Sequence, residues 1–501
     1  MKVLLILPPL EVAKEMEELI RVLSPLGVAY IAANLEKNNF EVSILDCLVE
    51  GWETRKIEKG NMIIGLSEEE IKKRIINEKP DICGVSVPFS SQKDQPHKLA
   101  RIIKQVSPKI KVIFGGPHPS GNSEEVMKDK NVDFVIKGEG EVAMVKLLNN
   151  LKTPKKVPGI VYRKNNQILF SGPPQFIENL DELPFPAYHL LNMDKYFEYS
   201  SDGYSVRRHV AKSKRWASIF TSRGCPFNCV FCSIHNTMGY KFRPRSPKNV
   251  LDEIELLYDK YGVRTFFFED DNFSMDKDRA KEILRGILTR KLEINWQAPN
   301  GLRADLLDDE LISLMKDTNC TRVRIAIEHG DQKFLEEVIG KRLNLKVLKE
   351  AVKKIRKKGL DVDGFFVLGI PGETKETMRK SVNFAKELSA IGLNPLLAMA
   401  IPLPGTRMYK ICEENNFLVK KNFTSKDYQL ASSKEPLIST PTMSASELKK
   451  WYFKAFRETF MIRFMNDPKV LLNINLVQDF KNRPFQALKI TYSYIKSALL
   501  K

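Results

Sequence analysis

The sequence has few cysteines and no long hydrophobic run, and both shortages limit what the protein can be. It contains seven cysteines in 501 residues, and four of them lie far apart, at Cys47, Cys83, Cys320 and Cys412. A disulfide framework of the secreted kind is therefore disfavoured. No stretch reaches the roughly 18 apolar residues of a membrane-spanning helix. We expect a reducing, cytoplasmic protein that folds around ordinary hydrophobic cores.

Acidic residues are in deficit. Lys and Arg number 80 against 62 Asp and Glu, so the formal net charge is +18. A basic surface suits nucleic acid, anionic lipid head groups or phosphorylated substrates, without choosing among them. Much of the charge comes from lysines spread along helical patterns, as in "LKEAVKKIRKKGL" (348–360), which is typical of a solvated helix face.

Residues 1–150 alternate short apolar runs with helical patterns. The alternation predicts a doubly wound, Rossmann-like parallel sheet. Ligands of such sheets bind beyond the carboxyl ends of the strands, and Gly and Pro cluster after the predicted strands of this segment. The predicted strands are "KVLLIL" (2–7), "EVSILD" (41–46), "DICGVSV" (81–87), "KVIFGG" (111–116) and "DFVIKG" (133–138).

A linker with a hairpin-like segment, "GIVYRKNNQILFSG", occupies 151–210. A second βα series follows over 211–425, and its six units predict a partial (β/α)6 barrel of the TIM type with functional residues at the strand carboxyl ends. Residues 426–501 are mostly helical in pattern. The last segment, 483–501, has a narrow apolar face that fits packing on the protein itself or contact with a membrane surface. The barrel strands are predicted at 216–222, 265–270, 295–300, 321–328, 361–369 and 395–402.

Three cysteines fall within "CPFNCVFC" (225–232), just past the first predicted barrel strand. Three thiolates on one loop leave one coordination position of an iron–sulfur or zinc centre open. His235 follows at a short spacing and would complete a Cys₃His zinc site, which is the alternative. Bulky residues between the cysteines, and the lack of a second knuckle, favour the open site.

This stretch resembles the C-x₃-C-x₂-C signature of radical S-adenosylmethionine (SAM) enzymes, including the aromatic Phe231 before the last cysteine. The resemblance implies that Cys225, Cys229 and Cys232 hold a [4Fe–4S] cluster whose open iron binds SAM. One electron, from a donor such as ferredoxin or flavodoxin, would cleave SAM to a 5′-deoxyadenosyl radical. Other strand ends resemble the family's SAM-binding segments. They imply cofactor contacts for Glu269, Asp270, Arg303, Glu328 and Gly369, with Asp271 as a further candidate.

The N-terminal 150 residues resemble the cobalamin-binding domain of one radical SAM subfamily, which includes cobalamin-dependent methyltransferases and the anaerobic magnesium-protoporphyrin ester cyclase. The subfamily's motifs are matched by "SPLGVAYIAAN", "VSVPFSS" and "GGPHPSG". None of the six histidines has Asp two positions earlier, so the D-x-H-x-x-G motif is absent and we expect no histidine on cobalt. A domain that has lost cobalamin is the alternative. The resemblance implies cobalamin contacts for Gly27, Ser86, Ser90, Gly115, Gly116, His118, Gly138 and Glu139.

Together these resemblances predict a cobalamin-dependent radical SAM C-methyltransferase acting on an unactivated carbon of a small-molecule or lipid substrate. SAM would be used twice, once to methylate cobalamin and once to make the radical. Radical cyclisation or rearrangement without methyl transfer is the alternative within the same chemistry. An RNA-modifying enzyme would suit the charge, but no C-terminal RNA module is recognisable. A non-catalytic cobalamin carrier would leave the three cysteines without a task. Peripheral membrane contact through 483–501 is a further hypothesis.

Overall fold

The computed structural model describes residues 1–466 except 15, 17–19, 21 and 202–212. The predicted terminal helix at 483–501 and the end of the predicted linker, residues 202–210, therefore lie outside the described residues. Within the part described, no helix combines the length and the apolar composition that a bilayer crossing requires.

The N-terminal domain contains a main sheet of seven strands, with helices on both faces as predicted, and a separate sheet of three short strands. Its strands are β1 (Lys2–Leu7), β2 (Leu10–Ala13), β3 (Glu41–Asp46), β4 (Arg55–Glu58), β5 (Asn61–Ile64), β6 (Ile82–Ser86), β7 (Lys111–Gly115), β8 (Phe134–Ile136), β9 (Ile160–Lys164) and β10 (Gln167–Phe170). Its helices, with the linker helix α8, are α1 (Leu26–Lys37), α2 (Cys47–Glu50), α3 (Glu68–Glu78), α4 (Asp94–Val106), α5 (Pro117–Gly121), α6 (Ser123–Met127), α7 (Gly140–Leu148) and α8 (Met193–Ser201).

The strand order of this sheet is β10-β9-β8-β7-β6-β1-β3. Strands β3, β1, β6, β7 and β8 are parallel. The predicted hairpin adds β9 and β10 as antiparallel strands at one edge. Alternate side chains of β1 enter two cores, Val3 and Leu5 on one face and Leu4 and Ile6 on the other. Burial on both faces explains the nearly continuous apolar runs of these strands. The strand order reverses between β1 and β6, which makes the carboxyl ends of these strands the ligand-binding edge of this fold. We call this edge the switch edge.

A second domain contains six parallel strands in chain order, β11-β14-β15-β16-β17-β18, which is the predicted partial barrel. A short ladder of β12 and β13 follows its first strand. The strands are β11 (Trp216–Ile219), β12 (Ser222–Arg223), β13 (Arg243–Pro244), β14 (Thr265–Phe268), β15 (Asn295–Gln297), β16 (Cys320–Glu328), β17 (Val362–Leu368) and β18 (Leu393–Met399).

The barrel helices alternate with the strands, and two further helices follow in the C-terminal region. The helices are α9 (His235–Met238), α10 (Pro247–Tyr261), α11 (Lys277–Thr289), α12 (Asp309–Asp317), α13 (Gln332–Phe334) with a π-helical turn at Leu335–Ile339, α14 (Leu345–Lys357), α15 (Lys375–Ala390), α16 (Arg407–Glu414), α17 (Ser425–Ala431) and α18 (Ala445–Asn466).

One small sheet was not predicted. Strands β2, β5 and β4 form an antiparallel sheet beside the N-terminal domain, and α17 packs against it. The Gln429 side chain accepts from the N–H of Ala13 at 2.6 Å and donates to the carbonyl oxygen of Glu11 at 2.6 Å. Four-residue strands of mixed composition show no clear hydrophobic period, so the sequence did not predict this sheet. Its partner Gln429 lies more than 400 positions away in the sequence.

The carboxyl edges of the two main sheets face each other. Helix α5, after β7, contacts α9, after the first barrel strand. The backbones approach so closely that an added Cβ on Gly121 would lie 2.3 Å from the carbonyl oxygen of Pro404. The loops that end the strands of both domains therefore contact each other, and both sets of loops contribute to the candidate site.

Candidate functional site

The three cysteines lie on the loop between β12 and α9. Gly224, just before Cys225, has a φ of 81°, a conformation that glycine adopts readily. Backbone hydrogen bonds attach the loop to two other barrel segments. The N–H of Val230 donates to the carbonyl of Ile339 at 2.9 Å, and the N–H of Met408 donates to the carbonyl of Val230 at 2.9 Å. The segments after β16 and β18 thus hold this loop in place.

The cysteine side chains are partly exposed as residues, yet their thiols are poorly solvated. Burial raises the pKa of Cys229 to about 11 and that of Cys232 to about 12, and the other two thiols add to the increase at Cys232. Burial also raises the pKa of Cys225. These groups hold their protons at neutral pH unless a metal replaces them. Across the described ranges, no three His, Cys, Asp or Glu side chains converge on a single-ion site.

His235, the fourth ligand of the zinc alternative, is occupied otherwise. Its Nε2 lies 3.0 Å from the carbonyl oxygen of Cys225, and its ring stacks on Tyr240 with 3.8 Å between ring centroids. The neighbouring Phe231 is half-buried and packs against the main hydrophobic core. This arrangement uses His235 to brace the loop, and it favours the open three-thiol site over a Cys₃His site.

Arg303, for which the family resemblance implies a cofactor contact, lies directly against the cysteine loop, and the contact itself stays a prediction. Its guanidinium carbon is 3.8 Å from the ring centroid of Phe227. Nε and Nη2 donate to the carboxylate of Asp305 at 3.0 and 2.7 Å. Nη1 is buried and has no hydrogen-bond partner within the described residues. A buried donor without a partner is costly, so this atom marks a place for an acceptor on a ligand.

Glu328, at the end of β16, is buried and paired with a lysine that the sequence did not point to. Its carboxylate accepts from Nζ of Lys341 at 3.0 Å, and the same Nζ donates to the carbonyl of Ala326 at 2.6 Å. Lys341 lowers the pKa of the Cys229 thiol against the larger effect of burial. The pair therefore brings a buried cation to the cysteine loop.

The acidic residues after β14 have different surroundings. Glu269 accepts from the Ser218 hydroxyl at 3.0 Å and is half-buried. Asp270 is almost fully buried and accepts from the Thr221 N–H and the Ser222 hydroxyl, both at 2.6 Å, as well as from the Thr221 hydroxyl. Asp270 therefore ties the β14 end to the loop after β11, and its cofactor contact stays a prediction.

Asp271 faces the cysteine loop more directly than Asp270. It accepts from the N–H of Gly224 at 3.1 Å. Burial, followed by the charge of Asp270, raises the pKa of Asp271 to about 7. The Asp271 charge in turn contributes to the raised pKa of Cys225, which places this third acidic residue beside the thiols.

Gly369 opens the loop after β17, and a buried pair closes that loop. The Glu373 carboxylate accepts from the N–H of Gly369 and lies 2.8 Å from Nε2 of His329, at the end of β16. Gly369 has a φ of 85°, and an added Cβ would lie 2.2 Å from the Leu448 side chain on α18. This glycine is therefore required by packing, and its predicted SAM contact stays a prediction.

Ser90 and His118, both predicted to face cobalamin, meet in the N-terminal domain. The Ser90 hydroxyl lies 2.9 Å from Nδ1 of His118. Both residues are buried, and burial lowers the pKa of His118 to about 4, so the imidazole is neutral at physiological pH. The pair joins the loop that follows β6, whose last residue is Ser86, to the loop that follows β7, whose last residue is Gly115.

The glycines of this edge differ in the space around them. An added Cβ would meet nothing within 4 Å at Gly27 or Gly115. At Gly116, with a φ of 110°, the added Cβ would lie 2.8 Å from the carbonyl oxygen of Val87. Gly115 thus leaves open space at the edge, as a bound group requires, and Gly116 serves a tight turn.

Glu139 does not have a free carboxylate for cobalamin in this structure. Its Oε1 lies 3.1 Å from Nη1 of Arg223, and its Oε2 lies 2.8 Å from Nη1 of Arg243. The N–H of Ile177 also donates to Oε2, at 2.7 Å. The preceding Gly138 has a φ of 79°. Glu139 therefore links the two domains, and direct cobalamin contact by its side chain stays a prediction.

The protein thus combines two domains. One is an α/β domain whose switch edge suits a ligand, and the other is a partial barrel with three thiols at the end of its first strand. This combination is typical of a cofactor-dependent enzyme. Residues 219–385 match the Radical SAM superfamily, and residues 19–148 match the B12 binding domain. An uncharacterized methyltransferase of Pyrococcus horikoshii, PH0819, is 32% identical over 480 residues, which cover 94% of either chain. Cytidylyl-2-hydroxyethylphosphonate methyltransferase of Streptomyces wedmorensis is 33% identical over 452 residues, covering 83% of this chain and 82% of its own.

The fold also resembles a solved structure, that of the radical SAM methyltransferase TsrM from Kitasatospora setae with tryptophan substrate and a SAM analogue bound. Its TM-score is 0.67 at 17% identity, and the match covers 92% of this chain and 89% of TsrM. The chain belongs to the radical SAM superfamily, among the proteins that carry a B12 binding domain. The sequence-based predictions of family, fold class and enzyme class are confirmed.

The residues present fit the cofactors that these domains bind. Three poorly solvated thiols beside the cations Arg303 and Lys341 suit an anionic thiolate cluster. The buried, unpartnered Nη1 of Arg303 suits a carboxylate such as that of SAM. Open space at Gly115 suits a group lying on the switch edge. The cofactor prediction is thus confirmed at the level of the domains, and the residue assignments rest on this fit.

Proposed function

We propose that the protein is a cobalamin-dependent radical SAM methyltransferase that transfers a methyl group to an unactivated carbon of a small molecule. The observation that carries the proposal is the meeting of two edges. The three-thiol loop lies beside the N-terminal domain, since Arg223, two residues before Cys225, pairs directly with Glu139 after β8. Two cofactors on these edges would lie close enough to share one substrate.

The chain's own residues would have separate tasks. Cys225, Cys229 and Cys232 would hold the cluster as thiolates. Arg303 would receive the SAM carboxylate on its unpartnered Nη1, and Lys341 would add positive charge beside the cluster. When bound, the cluster supplies the electron that cleaves SAM, and cobalamin supplies a methyl carrier. A site between the two domains would keep water from a radical.

The related proteins support methyl transfer over cyclisation. The relatives from Pyrococcus horikoshii and Streptomyces wedmorensis, at 32% and 33% identity, are both described as methyltransferases, and they match over most of their own lengths. We further propose that a one-electron protein such as ferredoxin or flavodoxin reduces the cluster.

Anaerobic reconstitution tests this proposal. The full chain is loaded with iron and sulfide, and its electron paramagnetic resonance spectrum is recorded with and without SAM and hydroxocobalamin. We expect a [4Fe–4S] signal that changes when SAM is added, and formation of 5′-deoxyadenosine under reducing conditions. Incubation with small-molecule extracts and SAM carrying a deuterated methyl group should yield a product with that methyl group. A product that has lost hydrogen without gaining the label would indicate cyclisation instead.

A further inference from the structure

A buried ionic cluster joins the two domains next to the cysteine loop. We call Glu139, Glu141, Arg223 and Arg243 the interdomain clamp. Arg223 donates from Nη1 to Glu139 at 3.1 Å and from Nη2 to Glu141 at 2.7 Å. Arg243 bonds the other oxygen of Glu139 at 2.8 Å. Every one of these side chains is at most 5% exposed.

The clamp is placed where it can control geometry between the cofactor sites. Arg223 and Arg243 face each other in the β12–β13 ladder, and Cys225 follows Arg223 by two residues. Glu139 follows Gly138 at the end of β8, and Glu141 lies in the first turn of α7. A shift of this junction would move the cysteine loop relative to the switch edge, because few rotatable bonds lie between them.

The chemistry of the clamp also favours a geometric role. Buried ion pairs are poor sources of net stability, because removing charges from water offsets most of their attraction. The planar Arg223 guanidinium, however, fixes both partners at once through a fork that a lysine cannot reproduce. Arg243 is further held by the carbonyls of Ile177 at 2.6 Å and Met238 at 2.7 Å. The arrangement specifies one orientation of the domains.

We infer that the interdomain clamp positions the cobalamin edge against the SAM site, so that Arg223 is a positioning residue for methyl transfer from SAM to cobalamin. The inference rests on the proposed function. In that transfer the methyl carbon leaves the SAM sulfur for reduced cobalt. The sulfur keeps the bonding pair, and S-adenosylhomocysteine is released. The residues proposed to hold the cluster and SAM all lie in the barrel domain, so we expect formation of 5′-deoxyadenosine not to depend on the clamp.

Arg223→Lys in the full chain tests this, with hydroxocobalamin, SAM and titanium(III) citrate as the reductant. We expect S-adenosylhomocysteine formation to fall about 10- to 100-fold, as expected for a misplacement of about 1 Å. The rate of 5′-deoxyadenosine formation, the iron content and the cobalamin dissociation constant should stay unchanged. Without cofactors, hydrogen exchange should increase at 138–142 and 222–224 only.

Arg290→Lys is the matched control, because Arg290 also bridges two carboxylates, Glu255 at 2.7 Å and Asp252 at 2.8 Å, but both lie in the barrel domain. It should leave the product ratio unchanged. If Arg223→Lys does not fold, Glu141→Gln carries the test, with a smaller fall of the same kind. Unchanged S-adenosylhomocysteine formation in the folded variants overturns the inference. Failure of the wild-type chain to bind cobalamin would instead overturn the proposed function.

Discussion

Glu328 and Lys341 form a buried ion pair across 13 residues, with 3.0 Å between carboxylate and ammonium, at the point where the barrel meets the cysteine loop. Glu328 has a φ of 71°, an uncommon conformation for a residue with a side chain. The register of β16 against β17 shifts between Ala326 and Glu328. Such strained positions are concentrated at functional sites, and here the strain coincides with a charge placed beside the thiols.

Replacing the cation of this pair should be costly. Lys341→Met leaves the Glu328 carboxylate buried and unpaired, so the free energy of unfolding should fall by about 3–5 kcal/mol. Urea unfolding of the chain without cofactors measures it. The control is Lys353→Met, whose partner Glu350 is exposed, and which should cost less than about 1 kcal/mol. Equal losses in the two variants would show that the pair is not effectively buried.

The cluster prediction can be tested one cysteine at a time. Cys225→Ala, Cys229→Ala and Cys232→Ala should each reduce bound iron and sulfide to a small fraction after reconstitution, because each thiolate binds a different iron. Cys83→Ala is the control, since Cys83 is fully buried in β6 of the N-terminal domain. It should keep the wild-type iron content. Stoichiometric zinc in place of iron, with His235 required, would restore the zinc alternative.

Gly369→Ala should destabilise the protein by two separate effects. A φ of 85° is unfavourable for alanine, by about 1–2 kcal/mol, and overlap with Leu448 adds about 1–3 kcal/mol. Gly60→Ala isolates the first effect, because Gly60 has a φ of 80° and open space around its Cβ position. Leu448→Ala in the Gly369→Ala background should recover part of the second effect. Equal thermal shifts for the two glycine variants would remove the role of Leu448.

Asp46 should give a pH dependence of stability with an unusual sign. Burial raises the pKa of Asp46 to about 6, although its carboxylate accepts from the Tyr196 hydroxyl at 2.5 Å. The folded state therefore binds the proton more tightly than the unfolded chain. This group's contribution is present below about pH 4 and is lost as the pH rises through about 6.

Asp46→Asn isolates this contribution, since its amide oxygen keeps the bonds from the N–H groups of Leu48 and Val49 and its amide nitrogen donates to the Tyr196 hydroxyl in place of the second carboxylate oxygen. The variant minus wild-type difference in unfolding free energy should increase by roughly 1–3 kcal/mol between pH 4 and pH 7. Urea titrations at several pH values measure it. A difference that is flat over this range would mean that Asp46 ionises normally in the folded state.

Local pattern was sufficient for most of the fold. The runs at 2–7 and 41–46 became β1 and β3 with the same bounds. β1 is buried on both faces and is therefore apolar throughout, whereas β3 lies at the sheet edge and is buried only in its second half. The six barrel strands were located by their short apolar runs between helical patterns. The sheet of β2, β4 and β5 was missed because its short strands are stabilised by α17, whose distance in sequence leaves no local signal.

The sequence by itself determined the chain's class and predicted the cluster-binding residues, since three thiolates on one short loop are a local property of spacing. Only the tertiary structure decided the roles of Glu139, Asp270 and Lys341. The first two carboxylates accept hydrogen bonds from the other domain or another loop, and the lysine brings a charge to the thiols. The role of a buried charged residue depends on the partner with which it pairs. Glu139 and Arg223, for example, are 84 positions apart in the sequence, so they pair only when both domains have folded.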